Sequence, residues 1–342
     1  MSRFYAACCQ TAFDCPKSSG EIAQRVDRML QMIDHAVLGY EPFFPVRLVV
    51  FPEFAHAAPI YFDLATLRDR LAVPVPNEHT DRYARKAQQL GIYIQTGTFI
   101  ERHPDYDDVL FNTTCLIGPE GLISVYRKTH PWIPWEIHAS PHDIPDFRED
   151  PFPVARTELG SLAVAICYDW LFPEVLRQYA VRGAEVLIRV SAYMDPWGTQ
   201  DPLDWWTIVN RCRALENIAY VVACNQGAQL DQYPPFSWPG GSMIVDFDGR
   251  ILAQAEAGPG ERIVVGPIDV TALRAERQRR DGHLMPAHLR TELYRCYRQA
   301  LFERAYDAEP ETPLTIEANR RRINLARQRW LGHADEPGAA SP

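Results

Sequence analysis

An α/β fold of sheets covered by helices is the architecture this chain predicts, and three observations predict it. Short apolar, β-branched runs of strand length recur along most of the 342 residues. Amphipathic stretches of helical spacing stand between them. The residues able to do chemistry sit at the ends of the runs, where layered α/β folds place their sites.

Strands are expected at 4–10, 47–51, 93–99, 112–117, 123–127, 161–167, 186–190, 220–225, 242–246 and 263–268, each a run rich in Val, Ile, Leu, Ala or aromatic residues. Helices are expected at 18–38, 80–90, 173–182, 205–217 and 270–279. The first carries Ile22, Val26, Met29, Leu30 and Ile33 at helical spacing with charges between them, the pattern of a helix with one face on a sheet. Hydrophobic content of 46% supports a substantial core in one large layered domain. The net charge of −9 is dispersed rather than blocked, which argues against nucleic acid or an anionic membrane as partner. No apolar run reaches the roughly 18 residues of a membrane span. The N-terminus runs directly into the first strand and does not read as a signal peptide, so a cytoplasmic protein is expected. Its eight cysteines, at 8, 9, 15, 115, 167, 212, 224 and 296, show no Cys-x-x-Cys spacing and no His pattern, so reduced thiols and no metal site are expected.

Three run ends stand out. The run 46–51 leads into Pro52-Glu53, the run 121–126 into Arg127-Lys128, and 162–166 into Cys167-Tyr168-Asp169. A cysteine is mostly thiol at neutral pH and becomes a nucleophile beside a base or a stabilising cation. Glu53 is therefore read as the general base, Cys167 as the nucleophile and Lys128 as the cation that meets an oxyanion. Lys128 is preferred to Arg127 because a compact ammonium suits that task, whereas a guanidinium suits bidentate pairing. The implied chemistry is acyl transfer from a carbon–nitrogen bond to sulfur and then to water. His130 and His138 are read as polar residues of a pocket rim, since Glu53 already supplies a base.

These residues resemble the catalytic blocks of the nitrilase, or carbon–nitrogen hydrolase, superfamily. Val49-Val50-Phe51-Pro52-Glu53, Tyr126-Arg127-Lys128 and Ile166-Cys167-Tyr168-Asp169 with Phe172-Pro173-Glu174 match in order. Phe111-Asn112-Thr113-Thr114, Pro119-Glu120-Gly121, Arg213-Ala214-Leu215-Glu216-Asn217, Asn225, Gly241-Ser242-Met243-Ile244 and Asp246-Phe247-Asp248-Gly249-Arg250 agree as secondary signatures. Within the superfamily the stretch from Tyr126 to Glu136, with its Pro131-Trp132 pair, is similar to the aliphatic amidase and formamidase branch.

The resemblance implies a four-layer αββα sandwich over residues 1–280. The arginine-rich stretch 281–330, helix-compatible over 286–306 and again over 314–330, is expected to form a C-terminal helical extension serving oligomerisation, and the Gly-, Ala-, Ser- and Pro-containing 331–342 a disordered tail. The resemblance also implies Glu136 as a second catalytic carboxylate that orients Lys128 and the hydrolytic water. Tyr168 is expected to offer its backbone N–H to the oxyanion, and Trp132, Trp170 and Tyr193 to line the substrate pocket, as aromatic wall or as ordinary core, together with Trp135 and Trp197. The implied activity is a cofactor-free amidase that converts a small carboxylic amide to carboxylate and ammonia through a cysteine thioester. Alternatives on the same scaffold are an N-carbamoyl amide hydrolase, for which Arg189 is the candidate carboxylate partner, a nitrilase, or a non-catalytic binding relative. Assembly as a homo-oligomer, a dimer or a multiple of dimers, is also implied. The chain departs from the branch after Glu136, where it reads Ile137-His138-Ala139-Ser140, and after Cys167, where it carries Trp170, Leu171 and Phe172.

Overall fold

The computed structural model describes residues 3–12, 14–193, 203–227, 238–294, 297, 300, 302–308 and 313–335. In chain order the strands are β1 (Arg3–Gln10), β2 (Val46–Val50), β3 (Tyr93–Gln95), β4 (Phe99–His103), β5 (Tyr106–Gly118), β6 (Gly121–Arg127), β7 (Ala155–Thr157), β8 (Gly160–Ile166), β9 (Val186–Ser191), β10 (Tyr220–Asn225), β11 (Met243–Val245), β12 (Ile251–Gln254) and β13 (Arg262–Asp269). The α-helices are α1 (Ile22–Val37), α2 (Leu64–Leu71), α3 (Glu78–Leu90), α4 (Pro173–Val181), α5 (Trp205–Asn217), α6 (Val270–Arg279), α7 (Met285–His288), α8 (Ala305–Ala308) and α9 (Ile316–Asp335).

Among the described residues the strands form two sheets. The first runs β13-β1-β2-β3-β5-β4, with β6 also paired to β5; the second runs β12-β11-β10-β9-β8-β7. In both, three parallel strands form the centre, β1-β2-β3 and β8-β9-β10, and antiparallel strands close the edges. The two-residue period of β1 explains how the layers stack. Ala6 and Cys8 face the second sheet, and the Cys8 thiol donates to the Ala223 carbonyl across the gap at 3.5 Å. Ala7 and Cys9 turn the other way and pack with Val26, Met29 and Ile33 of α1 and Tyr83 and Ala87 of α3. On the far side of the second sheet lie Val175, Leu176 and Tyr179 of α4 and Ala214 of α5. The result is the four-layer αββα sandwich.

Local chemistry sets the boundaries. At the start of α3 the Asn77 side chain accepts from the amides of His79 and Thr80, and Thr80 Oγ1 accepts the Asn77 amide in return, a reciprocal cap. The helix ends at Gly91, whose φ of 63° is the left-handed conformation that glycine adopts without strain. The expected strand 93–99 is split into β3 and the start of β4, with Gly97 between them; a Cβ there would lie 2.6 Å from the Pro52 carbonyl and from Ala55 Cβ. That glycine lets the connection close onto the turn that carries Glu53. The edge strands β7 and β12 and the short helix α2 are additions to the elements expected from the sequence.

The C-terminal region differs most. The stretch expected as helix over 286–306 holds only α7, a 3-10 turn over Thr291–Leu293 and the start of α8 among its described residues. Helix α9 continues to Asp335, past the 331 boundary expected for a tail, and residues 336–342 lie outside the described residues. No described helix is long and apolar enough to cross a membrane.

Candidate active site

Three turns, each following a central or flanking strand, deliver the functional side chains to one end of the sandwich. After β2 the backbone enters a turn in which Phe54 has φ 60°, a left-handed conformation for a bulky residue. The Glu53 side chain is buried and fully engaged. Its Oε1 accepts from Asn112 Nδ2 at 2.8 Å and Lys128 Nζ at 2.8 Å, and its Oε2 accepts from the Ala192 amide at 2.9 Å. The Glu53 carbonyl in turn accepts from Gln226 Nε2 at 2.9 Å, so both sheets hold this residue.

Lys128 follows β6, with its amide donating to the Asn112 carbonyl at 2.9 Å. Neighbouring residues on a strand point to opposite faces, and here that separates two cations by task. Arg127 forks onto Glu101 through Nε and Nη2, both at 2.7 Å, and reaches Glu149 through Nη1. Lys128 turns inward, fully buried, between Glu53 and Glu136, whose Oε1 lies 2.6 Å from Nζ. Glu136 arrives on a tight turn in which the Trp132 carbonyl accepts the amides of Trp135 and Glu136. Its second oxygen, Oε2, lies 3.7 Å from Nδ1 of the buried His138.

Cys167 is the first residue after β8. It opens a 3-10 turn over Cys167–Leu171 with φ 45°, the sharp strand-to-turn geometry that lifts a nucleophile out of the sheet. The turn is held by Asp169. Its carboxylate, wholly buried, accepts from the Ile166 amide (2.9 Å) and Tyr126 hydroxyl (2.7 Å) on Oδ2, and from the Thr129 hydroxyl (2.9 Å) and His130 amide (2.8 Å) on Oδ1. One side chain thereby ties the cysteine turn to the lysine segment.

The electrostatics divide the two carboxyls. Burial raises Glu136, but the Lys128 ammonium and His138 outweigh it and hold the carboxyl at about 2, firmly ionised. Glu53 moves the other way: burial raises it, the Glu136 charge adds to that, and the pull of Lys128 does not cancel the rise. Burial disfavours the charged lysine, yet Glu136 and Glu53 together hold the ammonium above its ordinary value. The Cys167 thiol is pushed up to about 12 by burial and by the Glu53 charge, against the opposing pull of Lys128, Ser191 and Arg189. An ionised carboxylate, an ammonium, a second carboxyl raised above its ordinary value and a protonated thiol are the groups that general-base nucleophilic chemistry requires.

A model of the carbon–nitrogen hydrolase family matches residues 5–278. The chain belongs to that family. A formamidase of Bacillus thuringiensis (strain Al Hakam) is 32% identical over 265 residues, spanning 76% of this chain and 73% of the relative, and one of Bacillus anthracis is 31% identical over the same shares. Among solved structures, Saccharomyces cerevisiae Nit3, a nitrilase-superfamily member, is similar with a TM-score of 0.66 and 25% identity over 81% of this chain and 94% of that one. An amidase from Nesterenkonia sp. shares the fold at TM-score 0.63 and 21% identity, covering 86% of this chain and 97% of its own. These relatives place the chain in the nitrilase superfamily, on its amidase- and formamidase-like side.

In this carbon–nitrogen hydrolase, Glu53, Lys128 and Glu136 meet through direct hydrogen bonds, and Cys167 lies within electrostatic reach of Glu53 and Lys128. Tyr168 follows Cys167, half-buried, with its ring edge on Phe172 at 5.2 Å between centroids. Tyr193 is held near the site by its amide, which donates to Asn225 Oδ1 at 2.8 Å. Trp132 is partly exposed and serves the Glu136 turn through its carbonyl. Trp170 is fully buried core, its indole donating to the Ala165 carbonyl. Trp197 lies outside the described residues. Arg189 is buried within electrostatic reach of Cys167 and Glu53; its guanidinium lies 4.2 Å from the Trp206 ring centroid and 5.4 Å from that of Trp170, donates to Asn210 and is lowered to about 10 by burial. Sequence reasoning did not find the apolar group of Phe54, Ala58, Ala192 and Trp238 beside Glu53, against which Trp135 packs with its ring edge on Phe54. It also missed Asp169 and Gln226 as fasteners; a buried acid in the turn after the nucleophile was the available signal. Among the described residues no cluster of His, Cys, Asp or Glu is arranged to hold a metal ion.

Proposed function

We propose that the protein hydrolyses a small carboxylic amide to the carboxylate and ammonia through a thioester on Cys167. The observation that carries this reading is the buried Glu53–Lys128–Glu136 row, at 2.8 and 2.6 Å, beside a thiol presented at positive φ. Glu53 takes the thiol proton as Sγ attacks the amide carbon. The oxyanion is met by Lys128 Nζ and the backbone N–H of Tyr168, and the proton on Glu53 passes to nitrogen as the carbon–nitrogen bond breaks and ammonia leaves. A water then gives its proton to Glu53 and attacks the thioester; the carbon–sulfur bond breaks, the thiol recovers the proton and the acid departs. Glu136, ionised throughout, keeps Lys128 charged and aimed.

The names of the formamidase and amidase relatives support an amide as substrate, and the apolar residues Phe54, Trp135, Ala192 and Trp238 beside Glu53 support a small acyl group. Assembly between copies is supported by α4 and α5, which pack side by side and leave Val181, Trp205, Ile208 and Leu215 exposed. The test is ammonia release from formamide, aliphatic amides, aromatic amides, carbamoyl amino acids and nitriles by wild type and Cys167→Ala. Release from a small amide by wild type alone is expected. Release from nitriles only, or equal release by the alanine variant, overturns the reading.

A further inference from the structure

The match to the family model ends at residue 278, yet α9, far beyond it, reaches the catalytic loop of its own chain. Asn319 Nδ2 donates to the backbone carbonyl of Glu136 at 3.2 Å and to that of Ile133 at 3.3 Å. Three residues on, and so on the same helical face, Arg322 Nη2 donates to Asp143 Oδ1 at 2.7 Å, with the two side chains only 3% and 4% exposed. The same guanidinium donates to the Glu303 carbonyl through Nε and Nη2. Asp143 passes the restraint along. Its Oδ1 also accepts the Ala305 amide, its Oδ2 accepts the Ser140 amide at 3.0 Å, and Ser140 Oγ donates to the carbonyl of Thr129, next to Lys128, at 2.6 Å. Ala305 and Leu314 pack with Val109, Phe111 and Ala139, closing an apolar patch beneath the loop.

The loop from Thr129 to Asp143 is therefore gripped at its middle and at its far end by a segment outside the matched domain. A buried ion pair is a poor device for stability alone, since desolvation offsets most of its attraction, but it fixes geometry. Geometry is what Glu136 requires: its Oε1 must stay at hydrogen-bond distance from Lys128, and displacements near 1 Å in such sites cost about a hundredfold in rate. We infer that Asn319 and Arg322 are positioning residues for the reaction, holding the loop so that Glu136 keeps Lys128 against Glu53. The inference rests on the proposed role of Glu136 but not on the identity of the substrate.

The test uses the full chain with Asn319→Ala, which removes the Nδ2 donor to both carbonyls and an acceptor of Arg322 Nη1, and Arg322→Lys, which keeps the charge and gives up the fork. With a turned-over amide, and below the lowered thermal midpoints that loss of these buried bonds brings, Asn319→Ala is expected to lower kcat roughly tenfold with KM within about twofold, and Arg322→Lys less. In a Glu136→Gln background Asn319→Ala is expected to change kcat by less than about twofold, because both act through one carboxylate. Independently of any substrate, the pH profile of Cys167 alkylation by iodoacetamide, read by mass spectrometry of the Cys167 peptide, is expected to move to lower pH in Glu136→Gln and, by less, in Asn319→Ala. The reason is that the Glu136 charge helps to hold Glu53 up. Wild-type kcat and alkylation profile in both α9 variants overturn the inference. So does an equal loss in the Glu136→Gln background, which would mean a general structural role. If no amide is turned over, the proposed function fails while the alkylation profile still decides the positioning.

Discussion

Replacing Lys128 by Met removes the one cation buried between two carboxylates, and its cost follows from the structure. Lys128 and His138 hold Glu136 at about 2 instead of its ordinary 4.5; at about 1.4 kcal/mol for each tenfold change, that difference corresponds to about 3 kcal/mol. A carboxyl lowered in the folded state contributes stability above its unfolded value and loses it as pH falls toward the folded one, so the contribution is complete at pH 7. Without the ammonium, Glu136 and Glu53 face each other unpaired, and breaking a buried pair in this way costs about 3–5 kcal/mol. Both carboxyls then rise, take up protons at mild acidity and relieve part of the penalty. Urea unfolding followed by tryptophan fluorescence is expected to put Lys128→Met about 3–5 kcal/mol below wild type at pH 7, with a smaller gap at pH 5. Lys128→Met/Glu136→Gln is expected to recover part of the loss. A gap below about 1 kcal/mol at pH 7, the value of an exposed pair, or one that widens on acidification would refute the reasoning.

Other consequences are as direct. Asn112→Ala removes a 2.8 Å donor that favours ionised Glu53, so the acid limb of kcat/KM should move up by about one pH unit, and an unmoved limb would contradict Glu53 as the base. Asp169→Asn weakens a buried acceptor of four donors from two segments; a loss of about 2–3 kcal/mol in unfolding free energy and about a hundredfold in kcat is expected, and unchanged kcat would deny its role as tether. Because the Cys167 thiol is pushed up to about 12, the 240 nm absorbance of wild type minus Cys167→Ala should show no thiolate forming between pH 5 and 9. A titration centred below pH 8 would mean a resident thiolate rather than base-assisted attack.

Much of this site was legible because it obeys local rules. Glu53, Lys128 and Cys167 each follow an apolar run of strand length, and parallel strands bring such ends together. The division of labour between Arg127 and Lys128 follows from the alternation of side chains along β6 and from the shapes of the two cations. Glu136 has no local signature, since it lies on an irregular turn, and only the resemblance pointed to it. Asp169 and Gln226 act on partners that are distant in sequence or in another sheet, information no window of sequence contains. The edge strands β7 and β12 are too short to show a period, and β12 is half-exposed. Helix α9 is fastened by Arg322 and Asn319 rather than by a strong apolar stripe, a signal that periodicity does not carry.

The central claim, that Cys167 carries the acyl group, is tested most directly by quenching the enzyme in acid during turnover of a small amide and mapping the Cys167 peptide by mass spectrometry. The account predicts a mass increase equal to the acyl group on that peptide, absent in Cys167→Ala and lost or much reduced in Glu53→Gln, which lacks the base that acylation needs. Turnover by Cys167→Ala, or an adduct on any other residue, would contradict it.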